Sequence, residues 1–122
     1  MLFRSVVVCE IEVLTSTPRS FVVVEDPLPG GLEPMALDYR EGGAWLAQLE
    51  SSRADRREKR DDRMVYFIDA LPAGISRFRY LTRAMHTGRF LAPPTRVEQM
   101  YDPSIFGHTG ANHVRVSSSK RP

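Results

Sequence analysis

The stretch RMVYFIDALPAGISRFRYLTRAM, residues 63–85, decides the fold class. In Met64–Leu71 apolar side chains occupy both alternating faces, which is typical of a central strand covered on both sides. Pro72–Gly74 has the residue types of a tight turn. From Ile75 to Met85, aromatic and small side chains alternate with arginines, so one face is buried and the other meets water. We therefore predict two antiparallel strands joined as a hairpin.

Further strand patterns lie on both sides of this stretch. Val7–Val13 alternates along its length, and a short polar loop separates it from Phe21–Val24, which predicts a second hairpin. Shorter strands are predicted around Arg89–Leu91 and over Asn112–Ser117. Residues 44–50 are compatible with one short helix. Six or seven short strands with turns rich in Pro and Gly predict an all-β fold, an antiparallel β-sandwich of the immunoglobulin or fibronectin kind.

The 122 residues, 42% of them hydrophobic, are enough for one domain with its own core. We assign residues 1–117 to this single domain and 118–122 to a disordered tail. No run approaches the roughly 18–20 apolar residues of a membrane-spanning helix, and the N-terminus lacks the features of a signal peptide. Because the chain begins directly in a strand pattern, we expect it to be a fragment of a longer protein.

The net charge of +2 conceals an uneven distribution. Residues 1–52 carry three basic and eight acidic side chains, whereas residues 53–122 carry fourteen basic and seven acidic ones. Such a dipolar domain lacks the coherent basic face of a nucleic-acid binder, so no nucleic-acid partner is expected. The two halves are instead candidates for complementarity between domains, with the basic half as part of a docking face. Residues 53–63 mix both signs and predict a solvated strand or loop with local ion pairs.

Residue patterns for catalysis or metal binding are weak. Three histidines, His86, His108 and His113, lack the spacing and the cysteine partners of a zinc site. The single cysteine, Cys9, is predicted to face inward and has no partner for an intrachain disulfide. No serine stands in a Gly-x-Ser-x-Gly elbow and no glycine-rich phosphate loop opens a helix. We therefore expect neither a cofactor nor a metal, and no enzymatic activity.

A long connection, residues 93–108, stands out near the end of the domain. The sequence predicts it to be mostly irregular, and connections of this length are often functional. It contains the large apolar residues Met100, Tyr101, Ile105 and Phe106. Either these side chains pack back over the open end of the sandwich, or some of them contact a neighbouring domain.

Four segments, taken in order, carry a resemblance to a known family. They are VVVEDPLPGGLE at 22–33, KRDDRMVYF at 59–67, LPAG at 71–74 continuing to YLTRA at 80–84, and FLAPP at 90–94 leading to MYDPSIFG at 100–107. Together they resemble the last domain of bacterial alpha-2-macroglobulins, large proteins that trap proteases, over residues 6 to 116. The resemblance implies a β-sandwich that docks on a separate thioester domain of the same polypeptide.

In this family a cysteine–glutamine thioester is shielded until a protease cleaves a bait region, and the protease is then trapped covalently. The resemblance implies that Met100 and Tyr101 cover the thioester, because an aromatic ring and a thioether exclude water and amines. The neighbouring Asp102, Pro103, Ile105 and Phe106 are candidate interdomain contacts. Cys9 is followed by Glu10-Ile11-Glu12 and does not match the thioester motif.

The resemblance further implies that the partners are the upstream domains of the same polypeptide and, for the whole protein, target proteases. It implies a periplasmic or cell-envelope location without insertion of this domain into a membrane, and it leaves open whether the parent is a lipoprotein. The alternative is a free-standing adhesive or carbohydrate-binding sandwich. In that case Tyr39, Trp45 and Tyr66 would form an aromatic stacking platform.

Overall fold

The computed structural model describes residues 6–35, 52–110 and 112–116, which contain ten β-strands and no helix. The strands are β1 Val6–Thr15, β2 Arg19–Pro27, β3 Leu32–Pro34, β4 Arg56–Lys59, β5 Arg63–Leu71, β6 Gly74–Ala84, β7 Gly88–Ala92, β8 Arg96–Gln99, β9 Asp102–His108 and β10 Asn112–Val116. The predicted all-β fold is confirmed. The predicted helix at 44–50 and the predicted tail at 118–122 lie outside the described residues.

All strand pairs are antiparallel and form two facing sheets and a small ribbon. The first sheet has the order β1-β6-β3, the second the order β4-β5-β2-β8-β9, and β10 pairs with β7. Strand β5 has a neighbour on each side, as its apolar pattern predicts. Strand β3 was not apparent in the sequence, because three residues are too few to show a period.

Both predicted hairpins are wrong. Strand β1 pairs with β6, and β2 pairs with β5, so the connections β1–β2 and β5–β6 each pass from one sheet to the other. They do so at the same end of the sandwich, where Thr15 pairs with Gly74 and Arg19 pairs with Leu71. The Thr15 hydroxyl supports the first crossing, since it donates to the Thr17 carbonyl at 2.7 Å and accepts from Arg19 Nε at 3.2 Å. Alternation shows that a strand has a buried face, but not which strand lies beside it.

The core lies between the two sheets and contains aromatic rings at its centre. Tyr66 of β5 packs against Phe78 and Tyr80 of β6, with ring centroids 5.1 and 6.4 Å apart. Aliphatic side chains surround the rings, namely Ile11, Val13, Val22, Val24, Leu28, Met64, Ile68 and Leu71. Each fully buried side chain of this size contributes about 1.5–3 kcal/mol, so the interlayer contact is the main source of stability. Cys9 packs at the margin of this core, as predicted.

Part of the chain predicted to be irregular is a hairpin. Residues 93–108 contain β8 and β9, which pair with each other, and β8 also pairs with β2. The prolines suggested an irregular segment, but their positions are compatible with a hairpin. Pro93 and Pro94 precede β8, and Pro103 lies in β9, the edge strand, where a missing N–H is tolerated. A register shift between Glu98 and Gln99 leaves residues 103–105 outside the ladder.

Part of the uneven charge is paired within the domain. Acidic residues of β1 face arginines of β6, with Glu12–Arg77 at 2.9 Å and Glu10–Arg79 at 2.7 Å. The charged run 53–63 forms local ion pairs as predicted, and Arg63 also reaches Glu25 of β2. Exposed pairs of this kind contribute at most about 1 kcal/mol each. Three acidic residues of the first half thus pair with basic residues of the second half inside the fold. Whether the remaining charges face another domain stays a prediction.

Candidate functional site

The two residues singled out by the sequence, Met100 and Tyr101, form the tip of the β8–β9 hairpin and are called the tip below. They occupy the turn between Gln99 and Asp102. The Tyr101 side chain is 82% exposed and that of Met100 is 36% exposed. An aromatic residue that projects to this degree is available for contact with another surface. Tyr101 therefore does not pack back over the open end of the sandwich, which was the alternative left by the sequence.

The base of the hairpin is fixed by two threonines. The Thr109 N–H donates to the Thr95 carbonyl at 3.0 Å, and the Thr95 N–H donates to the Thr109 hydroxyl at 2.9 Å. The Thr95 hydroxyl in turn donates to Asp26 Oδ1 at 2.5 Å. Because Asp26 belongs to β2, the base is tied to the second sheet by a side-chain bond in addition to the β2–β8 ladder.

Asp26 also joins the two sheets. Its other carboxylate oxygen accepts a hydrogen bond from the hydroxyl of Tyr80, which belongs to β6 in the facing sheet. Burial raises the pKa of Tyr80, and the negative charge of Asp26 raises it further. The Tyr80 hydroxyl is therefore protonated and donates to the carboxylate at neutral pH. Asp26, Tyr80 and Thr95 form one polar link that joins the hairpin base to both sheets.

The tip is held by Phe21 of β2, a residue that the sequence did not single out. The Met100 N–H donates to the Phe21 carbonyl at 2.8 Å. The Phe21 ring meets the Tyr101 ring edge to face, with centroids 5.3 Å apart and an interplanar angle of 76°. Phe21 has a φ of +52°, the left-handed region that bulky residues rarely occupy. The run Phe21–Val24 gives no sign of this, because it has the composition of an ordinary strand.

The four candidate contact residues that follow the tip all lie on β9. Ser104 donates to Asp102 at 2.6 Å, and Pro103 is exposed. Ile105 lines a cavity of about 150 Å³ between β1 and the hairpin. Phe106 is 54% exposed. The Arg96 guanidinium lies 5.0 Å from the centroid of its ring, and the centroid of the His108 ring lies 6.3 Å from it. The structure thus gathers all six predicted contact residues on one hairpin.

Other candidate residues do not converge. Within residues 6–35 and 52–110, no group of three or more His, Cys, Asp or Glu side chains could hold a metal ion. His86 follows β6 and His108 ends β9, while His113 belongs to β10. No helix in the described part of the chain is long and apolar enough to cross a membrane. The stacking platform is wrong for Tyr66, which is 1% exposed in the core; Tyr39 and Trp45 lie outside the described residues.

The family model for the bacterial alpha-2-macroglobulin MG10 domain matches residues 5–104, a span that includes the tip and Phe21. The chain belongs to this family. The motifs that carried the resemblance also meet in the MG10 fold: the Phe90 ring contacts the positions of Gly30 and Gly31, so FLAPP packs on the PLPGG turn. The expectation of a bacterial macroglobulin domain is confirmed.

Relatives of this MG10 domain are far longer than the chain. An alpha-2-macroglobulin homolog from Nostoc is 30% identical over 112 residues, which cover 91% of this chain and 6% of that protein. A Dictyostelium discoideum protein, circularly permutated Ras protein 2, is 30% identical over 93% of this chain and 3% of its own length. Trypsin-activated alpha-2-macroglobulin from Escherichia coli superimposes with a TM-score of 0.77 at 26% identity, covering 93% of this chain and 9% of that one. The chain therefore corresponds to one domain of these multidomain proteins.

Proposed function

We propose that this MG10 domain is a non-catalytic part of a bacterial protease inhibitor, and that its Met100–Tyr101 tip shields a thioester carried by a separate domain. The observation that supports the proposal is the tip itself. An aromatic ring that is 82% exposed projects from a hairpin fastened at both ends. A residue that only completed the core of this domain would be buried.

The chemistry of a thioester explains why such a tip is useful. A thioester is attacked by water and by amines, so it persists only where both are excluded. A tyrosine ring with a neighbouring thioether covers a reactive group without offering a nucleophilic amine or thiol. In the proposed cycle, cleavage of a bait region elsewhere in the parent moves the domains apart. An amine of the protease then attacks the uncovered thioester carbonyl: an amide bond forms, the C–S bond breaks and the cysteine thiol is released. This domain takes no part in bond formation.

The test uses the full-length parent protein and measures how fast methylamine releases the thioester thiol. Burying an aromatic ring contributes about 1.5–3 kcal/mol, and each 1.4 kcal/mol changes an equilibrium constant by a factor of ten. Tyr101→Ala is therefore expected to accelerate thiol release at least tenfold before any protease is added. The matched control is Leu91→Ala, which removes an exposed apolar side chain from β7. Equal rates for Tyr101→Ala and the wild type would refute the shielding role.

The location is part of the same proposal. We infer that the parent protein works in the periplasm or cell envelope, where a trap for foreign proteases would meet its targets. Fractionation of the producing cells with an antibody against the parent tests this directly. Recovery of the parent in the cytoplasmic fraction alone would contradict it.

A further inference from the structure

Phe21 has an unusual backbone for its residue type. Of the described residues other than glycine, Phe21 alone has a positive φ, at +52°. Bulky side chains are disfavoured there because Cβ approaches the following carbonyl, so the conformation persists only where surrounding contacts over-determine it. It also interrupts regular pairing, since the β2–β5 ladder has partners for Ser20 and Val22 but none for Phe21. Such conformations concentrate at functional sites.

Two contacts of Phe21 lead to the tip. The ladder between β2 and β8 runs from Glu25–Arg96 to Val22–Gln99, and one further bond extends it, from the Met100 N–H to the Phe21 carbonyl at 2.8 Å. The Phe21 ring is 44% exposed, so it does not fill the core. The ring of Tyr101 is its aromatic neighbour, with centroids 5.3 Å apart. The edge-to-face geometry is one that aromatic pairs prefer.

We propose that Phe21 is a positioning residue for Tyr101: its left-handed backbone presents the carbonyl to Met100, and its ring holds the Tyr101 ring in the orientation in which it shields the thioester. The inference rests on the proposed shielding function and adds a residue 80 positions away in the sequence. Without the Phe21 ring, the Tyr101 side chain loses its aromatic contact within this domain, and the thioester is uncovered for a larger fraction of the time.

The experiment separates the ring from the backbone. Phe21→Gly removes the ring, yet glycine adopts a positive φ without strain and so retains the carbonyl that binds Met100. In the full-length parent this variant is expected to release the thioester thiol to methylamine about two- to tenfold faster than the wild type, the range expected for an aromatic pair. Phe21→Tyr keeps an aromatic ring and is expected to restore the slow rate. Hydrogen exchange at residues 97–103 reports the tip directly and should accelerate in Phe21→Gly but not in Phe21→Tyr or Leu91→Ala.

Parallel measurements on Tyr101→Ala and on the Leu91→Ala control distinguish the possible failures. If Tyr101→Ala is fast while Phe21→Gly matches the wild type in rate and exchange, the positioning role is overturned and shielding survives. If Tyr101→Ala also matches the wild type, shielding fails and the role of Phe21 in it fails too. A fast Phe21→Gly variant with faster exchange at the tip, and slow Phe21→Tyr and Leu91→Ala variants, supports the inference.

Discussion

Removing the Tyr80 hydroxyl is expected to weaken the sandwich measurably. In Tyr80→Phe the ring stays in the core, where it is 1% exposed, and the hydroxyl that donates to Asp26 is lost. A hydrogen bond to a charged group contributes about 1.5–3 kcal/mol. Asp26 keeps its bond from Thr95, so the carboxylate is not left without a donor. We therefore expect the free energy of unfolding to fall by about 2 kcal/mol, the middle of that range.

Urea unfolding of the chain checks this value. With a slope of about 2 kcal/mol per M, the midpoint should fall by about 1 M while the slope stays constant. Tyr101→Phe is the matched control, because it removes the same hydroxyl from a side chain that is 82% exposed and should change stability by less than about 0.5 kcal/mol. If the two variants lose the same small amount, the bond between Tyr80 and Asp26 does not stabilise the fold.

The same bond makes a prediction for high pH. Burial raises the pKa of Tyr66 from 10.0 to about 12, and burial with the Asp26 charge raises that of Tyr80 further. Below pH 10 both side chains are protonated in the folded and the unfolded chain, so their contribution is fully present. Above about pH 10 the unfolded tyrosines lose protons first, and stability falls as pH rises, by up to about 1.4 kcal/mol per pH unit for each group. Tyr80→Phe should remove one such group, so stability should fall less steeply with pH than in the wild type.

Two further predictions concern the margins of the core. A Cβ at Gly31 would lie 2.5 Å from Phe90 Cε2. Gly31→Ala should therefore lower the free energy of unfolding in urea by about 1–3 kcal/mol, and by much less in a Phe90→Ala background. An equal loss in both backgrounds would contradict the contact. Burial raises the pKa of the Cys9 thiol, so less of the reactive thiolate is present in the folded chain. Iodoacetamide at pH 8, followed by mass spectrometry, should alkylate Cys9 about tenfold more slowly in the folded chain than in denaturant. Equal rates in the folded and denatured chain would show that the thiol is accessible.

The sequence predicted the strands well wherever a strand has one wet face. In β6 the arginines alternate with Phe78, Tyr80 and Thr82, and each of these three is fully buried. In β1 the glutamates alternate with Ile11 and Val13 for the same reason. Burial on one side of a pleated strand leaves a period of two in the sequence, and that period can be read without knowing the neighbours.

Strand pairing could not be predicted in the same way. A run such as Pro72–Gly74 allows a reversal within one sheet or a passage to the facing sheet, because both need a short turn that begins with proline. The choice is made by the interlayer core, in which the rings of Tyr66 on β5 and Phe78 on β6 contact each other from facing sheets, with centroids 5.1 Å apart. Contacts between residues distant along the chain decide the pairing, and no local pattern encodes them.

The candidate site shows the same division between what is local and what is not. The tip could be found in the sequence because large apolar residues in a proline-containing segment are conspicuous, but its supports could not, since both come from β2. Asp26 fixes the base of the hairpin through Thr95, and Phe21 fixes the tip. The two supports are five residues apart on one strand and act at opposite ends of β8. Loss of the Phe21 ring should therefore free the tip while the base stays fixed, which is why we expect its effect on shielding to be smaller than that of removing Tyr101 itself.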